Sequence, residues 1–77
     1  MPHVDIKCYA GRTYAQKKIL AAKITRDIAE IFETSEDSVS IAIHDIPPEN
    51  WKAQVWDKEI EPNRGKLCKE PGYDYDD

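Results

Sequence analysis

The octapeptide Pro2–Tyr9, PHVDIKCY, decides the fold of this chain. Its apolar side chains Val4, Ile6 and Cys8 fall on every second position, and the side chains between them are polar. A period of two is typical of a strand with one face buried and one face exposed. The octapeptide therefore predicts a first β-strand, and the following elements are expected to assemble around it.

A turn and a helix start follow this strand. Ala10–Arg12 is predicted to turn, because Gly11 tolerates a positive φ. Thr13–Gln16 then has the T-x-x-Q form of a capping box, in which two side chains satisfy the free amides of a helix start. A long helix is expected beyond it. Its apolar stripe consists mainly of Leu20, Ile24, Ile28 and Ile31, and it is widened by Ile19, Ala21 and Phe32.

The polar segment Thr34–Ser38 is short enough to connect this helix to another element. From Val39 to Ile46 the apolar alternation returns and predicts a second strand. A strand, a long helix and a strand form a β-α-β unit over residues 2–46, whose two strands run parallel and are joined by a right-handed crossover. The predicted class is α+β, a two-layer fold with the helix on one face of the sheet.

The C-terminal part, residues 47–77, is expected to add a helical segment and a tail to the same single domain, 1–77. Pro47 and Pro48 end the second strand, because consecutive prolines remove ladder donors and fix φ. Residues 51–69 predict two short helical pieces with a break near Pro62. The acidic tail Tyr73–Asp77 is expected to fray unless its tyrosines find an apolar surface.

Composition excludes several classes of function. The chain has 77 residues and a net charge of -4, and its basic residues form no stripe, so nucleic acid is not an expected partner. No run of residues resembles a signal peptide or a membrane span, which favours a cytoplasmic protein with no membrane partner. Cys8 and Cys68 fit reduced thiols, and neither belongs to a cluster that would hold a metal.

Two strands and one helix leave one sheet face and both sheet edges uncovered. A chain of 77 residues cannot easily cover them by itself, and small domains of this size commonly gain stability by association. We therefore expect a homo-oligomer in which sheets of different chains pack together.

Pro2 is the first candidate for chemistry. It follows Met1, and processing aminopeptidases accept a proline in second place, so that the mature chain would begin with a free secondary amine. Burial and nearby positive charge lower the pKa of an amine, and a base works best when its pKa lies near the operating pH. If Met1 is retained, the nitrogen is an amide and no base.

Several motifs in this order and spacing resemble the 4-oxalocrotonate tautomerase family. The resemblance needs no gap between residues 2 and 51, about two thirds of the chain. It is carried by the Pro2 start, the strand Val4–Cys8, the Gly11-Arg12 turn, the Gln16-Lys17 helix start, the Ser38–Ile41 strand and Trp51. Within the family, the PHVDIKC opening, the Ser-Ile-Ala-Ile strand, the segment from Trp51 to Trp56 and the Pro-Gly-Tyr ending are similar to a dimeric bacterial branch.

The resemblance implies a β-α-β fold, a catalytic N-terminal proline and active sites at subunit contacts. It implies an isomerase without a cofactor that converts enols of 2-oxo acids, such as arylpyruvates or 2-hydroxydienoates, to their keto forms. Pro2 then stands for the general base, Arg12 for an arginine that binds the substrate carboxylate, and Trp51 for the aromatic wall of the pocket. The dimer is favoured over the hexamer, because the segment after Trp51 is longer than the tail of the hexameric members.

One position departs from the family pattern. Well-known members have a second arginine where this chain has Ser40, which offers a hydrogen bond but no charge. This disfavours diacid substrates and dehalogenase chemistry and favours a monocarboxylate such as an arylpyruvate enol, whose ring would suit Trp51 and Trp56. Lys7, Lys52 and His44 are the candidates for a compensating cation.

Other interpretations of these residues remain open. The chain could be a non-catalytic oligomeric binding module on the same scaffold, since fold does not fix function. It could also use Pro2 for a decarboxylation or a hydration. Arg12 could be a solvated surface group and Trp51 an interface residue.

Overall fold

The computed structural model describes residues 1–75 and contains a two-stranded sheet, one long helix and a helical C-terminal part. Strand β1 spans His3–Tyr9, helix α1 spans Tyr14–Ile31 and strand β2 spans Ser40–Ile46. The remaining elements are single 3-10 turns at Glu36–Ser38, Pro48–Asn50 and Glu61–Asn63, and a π-helix at Lys52–Ile60.

The two strands are parallel neighbours, as predicted. His3 lies opposite Ser40 at one end of the sheet and Tyr9 opposite Ile46 at the other. Partners in register share a face, so Val4 and Ile6 lie on the same face as Ile41 and Ile43. The predicted β-α-β class is confirmed.

Helix α1 begins at the predicted capping box. The Gln16 amide donates to the Thr13 hydroxyl at 3.1 Å, and the Thr13 amide donates to the Gln16 side chain at 2.9 Å. These bonds satisfy two of the amides that a helix start leaves free. Beyond the last helical turn, Glu33 takes a φ of 55° and the Thr34 amide donates to the Ala29 carbonyl at 3.0 Å, so the chain turns back toward β2.

The apolar stripe of α1 is wider than the surface that covers it. Ile24 and Ile28 are half-buried, whereas Ile31 and Phe32 keep 71% and 67% of their surface exposed. A sheet of two strands is about one helix wide, because neighbouring strands lie about 4.8 Å apart. The edges of the stripe therefore remain uncovered in a single chain.

The best-buried side chains belong to the C-terminal half. Ile46 at the end of β2 and Val55 and Trp56 of the π-helix are the buried apolar residues among positions 1–75, with Trp56 at 3% exposure. The expected break near Pro62 lies just before that residue. The π-helix ends at Ile60, and Pro62 lies in the following 3-10 turn, where its missing amide costs no helical hydrogen bond.

The expectation of a second helical piece before residue 69 is wrong beyond that turn. From Arg64 to Tyr75 the described chain has no helix, and it folds back along the π-helix. Tyr73 and Tyr75 do find an apolar surface, with ring centres 5.1 Å and 5.0 Å from Trp56. The rest of the predicted acidic tail, Asp76 and Asp77, lies outside the described residues.

Candidate active site

Pro2 lies at the start of β1 and is held there by β2. The Ser40 amide donates to the Pro2 carbonyl at 3.2 Å, which extends the strand pairing by one residue. The Pro2 ring is half-buried, whereas Met1 before it is fully exposed. The fold thus fixes Pro2 on the sheet while leaving the residue before it accessible.

Ser40 and His3 share this end of the sheet. They are partners in the register, and His3 Nδ1 and the Ser40 hydroxyl are hydrogen-bonded at 2.6 Å. Ser40 therefore makes two contacts at this end of the sheet. Its backbone amide binds the Pro2 carbonyl, and its hydroxyl is hydrogen-bonded to His3. His3 therefore belongs to the same polar group.

Arg12 lies at the other end of β1, in the turn before α1. With Gln16 and Leu20 of the helix and Ile6 and Cys8 of the strand, it lines a cavity of about 180 Å³ between helix and sheet. Beside it, Lys17 forms an ion pair with Asp45 at 2.8 Å. No ion pair of Arg12 is found among residues 1–75.

Trp51 lies near the same end of the sheet but packs on Tyr9 rather than on Arg12. The two rings meet edge to face, with centres 5.3 Å apart and an interplanar angle of 82°. The indole Nε1 of Trp51 donates to the Tyr73 hydroxyl at 2.9 Å. Together Tyr9, Trp51 and Tyr73 line a second cavity, of about 290 Å³.

The single chain does not bring the predicted site residues into one place. Strand β1 has seven residues, which corresponds to about 23 Å at 3.3 Å per residue. Pro2 and Ser40 are at one end of that length, and Arg12 and Trp51 are at the other. In a single chain the two groups are therefore separated by about the length of β1.

The three candidates for a compensating cation are each bound to a carboxylate. Lys7 forms ion pairs of 2.9 Å with both Asp5 and Glu59, and His44 Nε2 lies 2.7 Å from the same Asp5. These hydrogen bonds, first that of Lys7, lower the pKa of Asp5, and the bond to Glu59 contributes most to the raised pKa of Lys7.

Lys52, the third candidate, pairs with Asp57 at 3.3 Å. In this arrangement both lysines are ion-paired within the chain, and His44 is hydrogen-bonded to Asp5.

The expected pocket role of Trp56 is not supported by its position. Its indole is buried under Tyr73 and Tyr75 and is absent from the lining of both cavities. Sequence reasoning missed Tyr9 and Tyr73, which do line a cavity. Tyr9 lies on the polar face of β1, and its contact with Trp51 is visible only in the folded structure.

Two further observations concern metal-ligand groups and membrane-spanning helices in the part of the chain that the structure describes. Over residues 1–75 no group of three or more His, Cys, Asp or Glu side chains is placed to hold a metal ion. The same residues include no helix with the length and apolar character to span a bilayer.

A sequence model of the family described as tautomerase enzyme matches residues 2–57, which include β1, α1, β2 and Trp51. The chain belongs to the tautomerase family, and so to a family of isomerases.

Its relatives include proteins named Tautomerase PptA. That of Enterobacter sp. (strain 638) is 49% identical over 74 residues, 95% of this chain and 97% of the relative. That of Cronobacter sakazakii is 40% identical over 75 residues, 96% and 99% of the two chains.

The fold is also similar to a solved structure from a study of the 4-oxalocrotonate tautomerase isozymes of Methylibium petroleiphilum. The TM-score is 0.62 at 36% identity, over 65% of this chain and 81% of that one. The sequence resemblance to the 4-oxalocrotonate tautomerase family is confirmed, and the bacterial branch that its motifs resemble is that of the proteins named Tautomerase PptA.

Proposed function

We propose that this protein is a cofactor-independent tautomerase that converts enols of 2-oxo acids to their keto forms, with Pro2 as the general base. The observation that carries the proposal is the anchoring of Pro2 on the sheet by the Ser40 amide at 3.2 Å. A base that transfers a proton between two atoms of one substrate has to stay in one position, and strand pairing supplies that position.

The reaction needs one proton acceptor. After removal of Met1, the neutral Pro2 nitrogen takes the enol proton, and the electron pair of the broken O–H bond forms the carbonyl. The double bond shifts, and the same nitrogen returns the proton to carbon, C3 of an arylpyruvate enol or a more distant carbon of a 2-hydroxydienoate. No oxidant, reductant or second substrate is required.

Arg12 is proposed to bind the substrate carboxylate from a neighbouring subunit. Its guanidinium matches a carboxylate in shape and lies at the opposite end of β1 from Pro2 of its own chain. A cation at the 2-oxo acid group stabilises the negative charge that develops on the dienolate. Trp51 is proposed to form the apolar wall of the pocket.

The proposed assembly is a homodimer. The exposed edge of the α1 stripe, with Ile31 and Phe32, and the unpaired edges of a two-stranded sheet are surfaces that a second copy would cover. The C-terminal part after residue 47 already occupies surface next to Tyr9, which supports the dimer over the hexamer. A cytoplasmic location is proposed with it, since Cys8 and Cys68 are free thiols.

Ser40 is proposed to contact the substrate through its hydroxyl, next to His3. Because Lys7 and Lys52 are ion-paired with carboxylates and His44 is hydrogen-bonded to Asp5, Arg12 is the proposed cation for substrate. This supports a monocarboxylate, such as an arylpyruvate enol, over a diacid.

The test is the pH dependence of ketonisation of phenylpyruvate enol, followed by ultraviolet absorbance with protein whose mass confirms the loss of Met1. We expect a rate well above buffer that rises through an ionisation below the ~7.7–8.0 of an ordinary α-amine. Pro2→Ala should lower kcat strongly, because a primary amine in a less fixed position replaces the ring nitrogen.

A wild-type rate equal to buffer, with Met1 removed, would favour the non-catalytic binding module. Product formation without keto-enol exchange would instead indicate decarboxylation or hydration. Unchanged turnover of Pro2→Ala would exclude Pro2 as the base.

A further inference from the structure

The cavity at Trp51 is walled by three aromatic rings that come from distant parts of the chain. Tyr9 ends β1, Trp51 precedes the π-helix, and Tyr73 lies 22 residues beyond Trp51. At about 290 Å³ the cavity is close to the lower end of the ~300–1,000 Å³ common for small-molecule pockets.

Tyr73 is held over this cavity by both tryptophans. Trp51 donates to its hydroxyl at 2.9 Å, and its ring centre is 5.1 Å from that of Trp56. Trp51 directly precedes the π-helix and Trp56 lies within it, and the i→i+5 hydrogen bonds of such a helix join backbone groups of residues five apart. In an α-helix the same spacing would turn the two side chains about 140° apart.

The tail that carries Tyr73 has further attachments. Arg64 pairs with Asp74 at 2.8 Å and lies 5.0 Å from the ring centre of Trp56. Tyr75 packs on the same indole beside Tyr73, with its ring centre 5.0 Å from that of Trp56. With these contacts the tail is a fixed wall of the cavity.

We infer that Tyr73 is a specificity-determining residue, which closes the aromatic side of the pocket and favours 2-oxo acid enols that have an aryl group. The inference rests on the proposed function in one respect, that Trp51 walls the substrate pocket. Aromatic rings stabilise one another at centre distances of 4.5–7 Å, and Tyr9 and Trp51 already pack edge to face in this way. The Tyr73 hydroxyl accepts a hydrogen bond from Trp51, so the Tyr73 ring offers the cavity an apolar surface.

The experiment compares Tyr73→Leu with Tyr75→Leu. Both replacements remove a ring that packs on Trp56, but of the two only Tyr73 lines the cavity, while Tyr75 packs behind it with ring centres 6.2 Å apart. We expect Tyr73→Leu to lower kcat/KM for phenylpyruvate enol roughly tenfold, through KM, while kcat/KM for 2-hydroxy-2,4-pentadienoate changes less than about twofold. Tyr75→Leu should leave the ratio of the two values as in the wild type.

Equal losses for the two substrates, or the same change of ratio in Tyr75→Leu, would overturn the inference, because the tail would then act only through folding. An unchanged ratio in Tyr73→Leu would also overturn it.

A binding measurement separates this inference from the proposed reaction. Cinnamate and crotonate are carboxylates with and without an aryl ring, and their binding is followed by tryptophan fluorescence. Tyr73→Leu should weaken cinnamate roughly tenfold and crotonate less than about twofold, whether or not Pro2 is the base. Equal weakening of both would contradict the role of Tyr73 even in an active enzyme.

Discussion

Arg64 Nη2 and Asp74 Oδ2 lie 2.8 Å apart, and this ion pair attaches the C-terminal tail to the turn that follows the π-helix. The guanidinium also faces the Trp56 ring, so one side chain contacts both the tail and the buried core. One of the contacts that hold the tail is therefore an ion pair that needs a charged carboxylate.

The first prediction concerns acid. The hydrogen bond from Arg64, and then that of the Tyr75 amide, lower the pKa of Asp74 below its ordinary value. A depressed folded-state pKa means that the contribution of the pair is present above the unfolded pKa, about 3.9, and is lost as the pH falls through the folded value. Ring-proton shifts of Tyr73 and Tyr75, followed by NMR between pH 6 and 2, should report release of the tail.

Asp74→Asn is the matched variant for this titration, because it keeps the shape of the side chain and removes the charge. It should weaken the tail contact at pH 6 and lose the acid step. A variant curve that superimposes on the wild type would show that another carboxylate controls the tail.

The second prediction concerns the start of α1. Thr13→Ala removes the hydroxyl that accepts from the Gln16 amide and should lower the free energy of unfolding by about 1 kcal/mol. Urea unfolding at one fixed protein concentration measures the loss. Thr13→Ser keeps an acceptor at the same place and should recover most of it, whereas equal stability of all three proteins would mean that the cap contributes nothing.

The third prediction tests whether the site combines two chains. Pro2→Ala and Arg12→Ala should each be nearly inactive alone. When the two variants are co-expressed, the preparation should recover roughly a quarter of the wild-type activity. Half of the dimers then contain one chain of each variant, and each of these dimers has one intact site out of two. Lack of any recovery in a mixture shown by mass to contain mixed dimers would place both residues in a site within one chain.

Local patterns predicted the β-α-β part of the fold well. The alternation of Val4, Ile6 and Cys8 and the Thr13–Gln16 capping box each depend on neighbours within a few residues, and both are found in the structure. The parallel pairing followed from the length of the connection between the strands, which is too long for a hairpin.

The C-terminal part was harder to predict because its structure depends on distant contacts. Residues 51–69 were expected to form two short helical pieces, and nothing in the pattern indicated that Lys52–Ile60 would be a π-helix. The contact of Tyr73 with Trp51 joins residues 22 positions apart, and local propensity carries no information on it. The pairing of His3 with Ser40 likewise required the register of the sheet.

The π-helix also has a consequence for changes of chain length: a deletion and an insertion between its two tryptophans should differ in their effect. Loss of one exposed residue, such as Ala53 or Gln54, would place Trp51 and Trp56 four positions apart, and an α-helix keeps such residues on one face. Gain of one residue would place them six apart, about 120° from a common face in an α-helix. A single-codon deletion here should therefore be tolerated better than a single-codon insertion at the same positions.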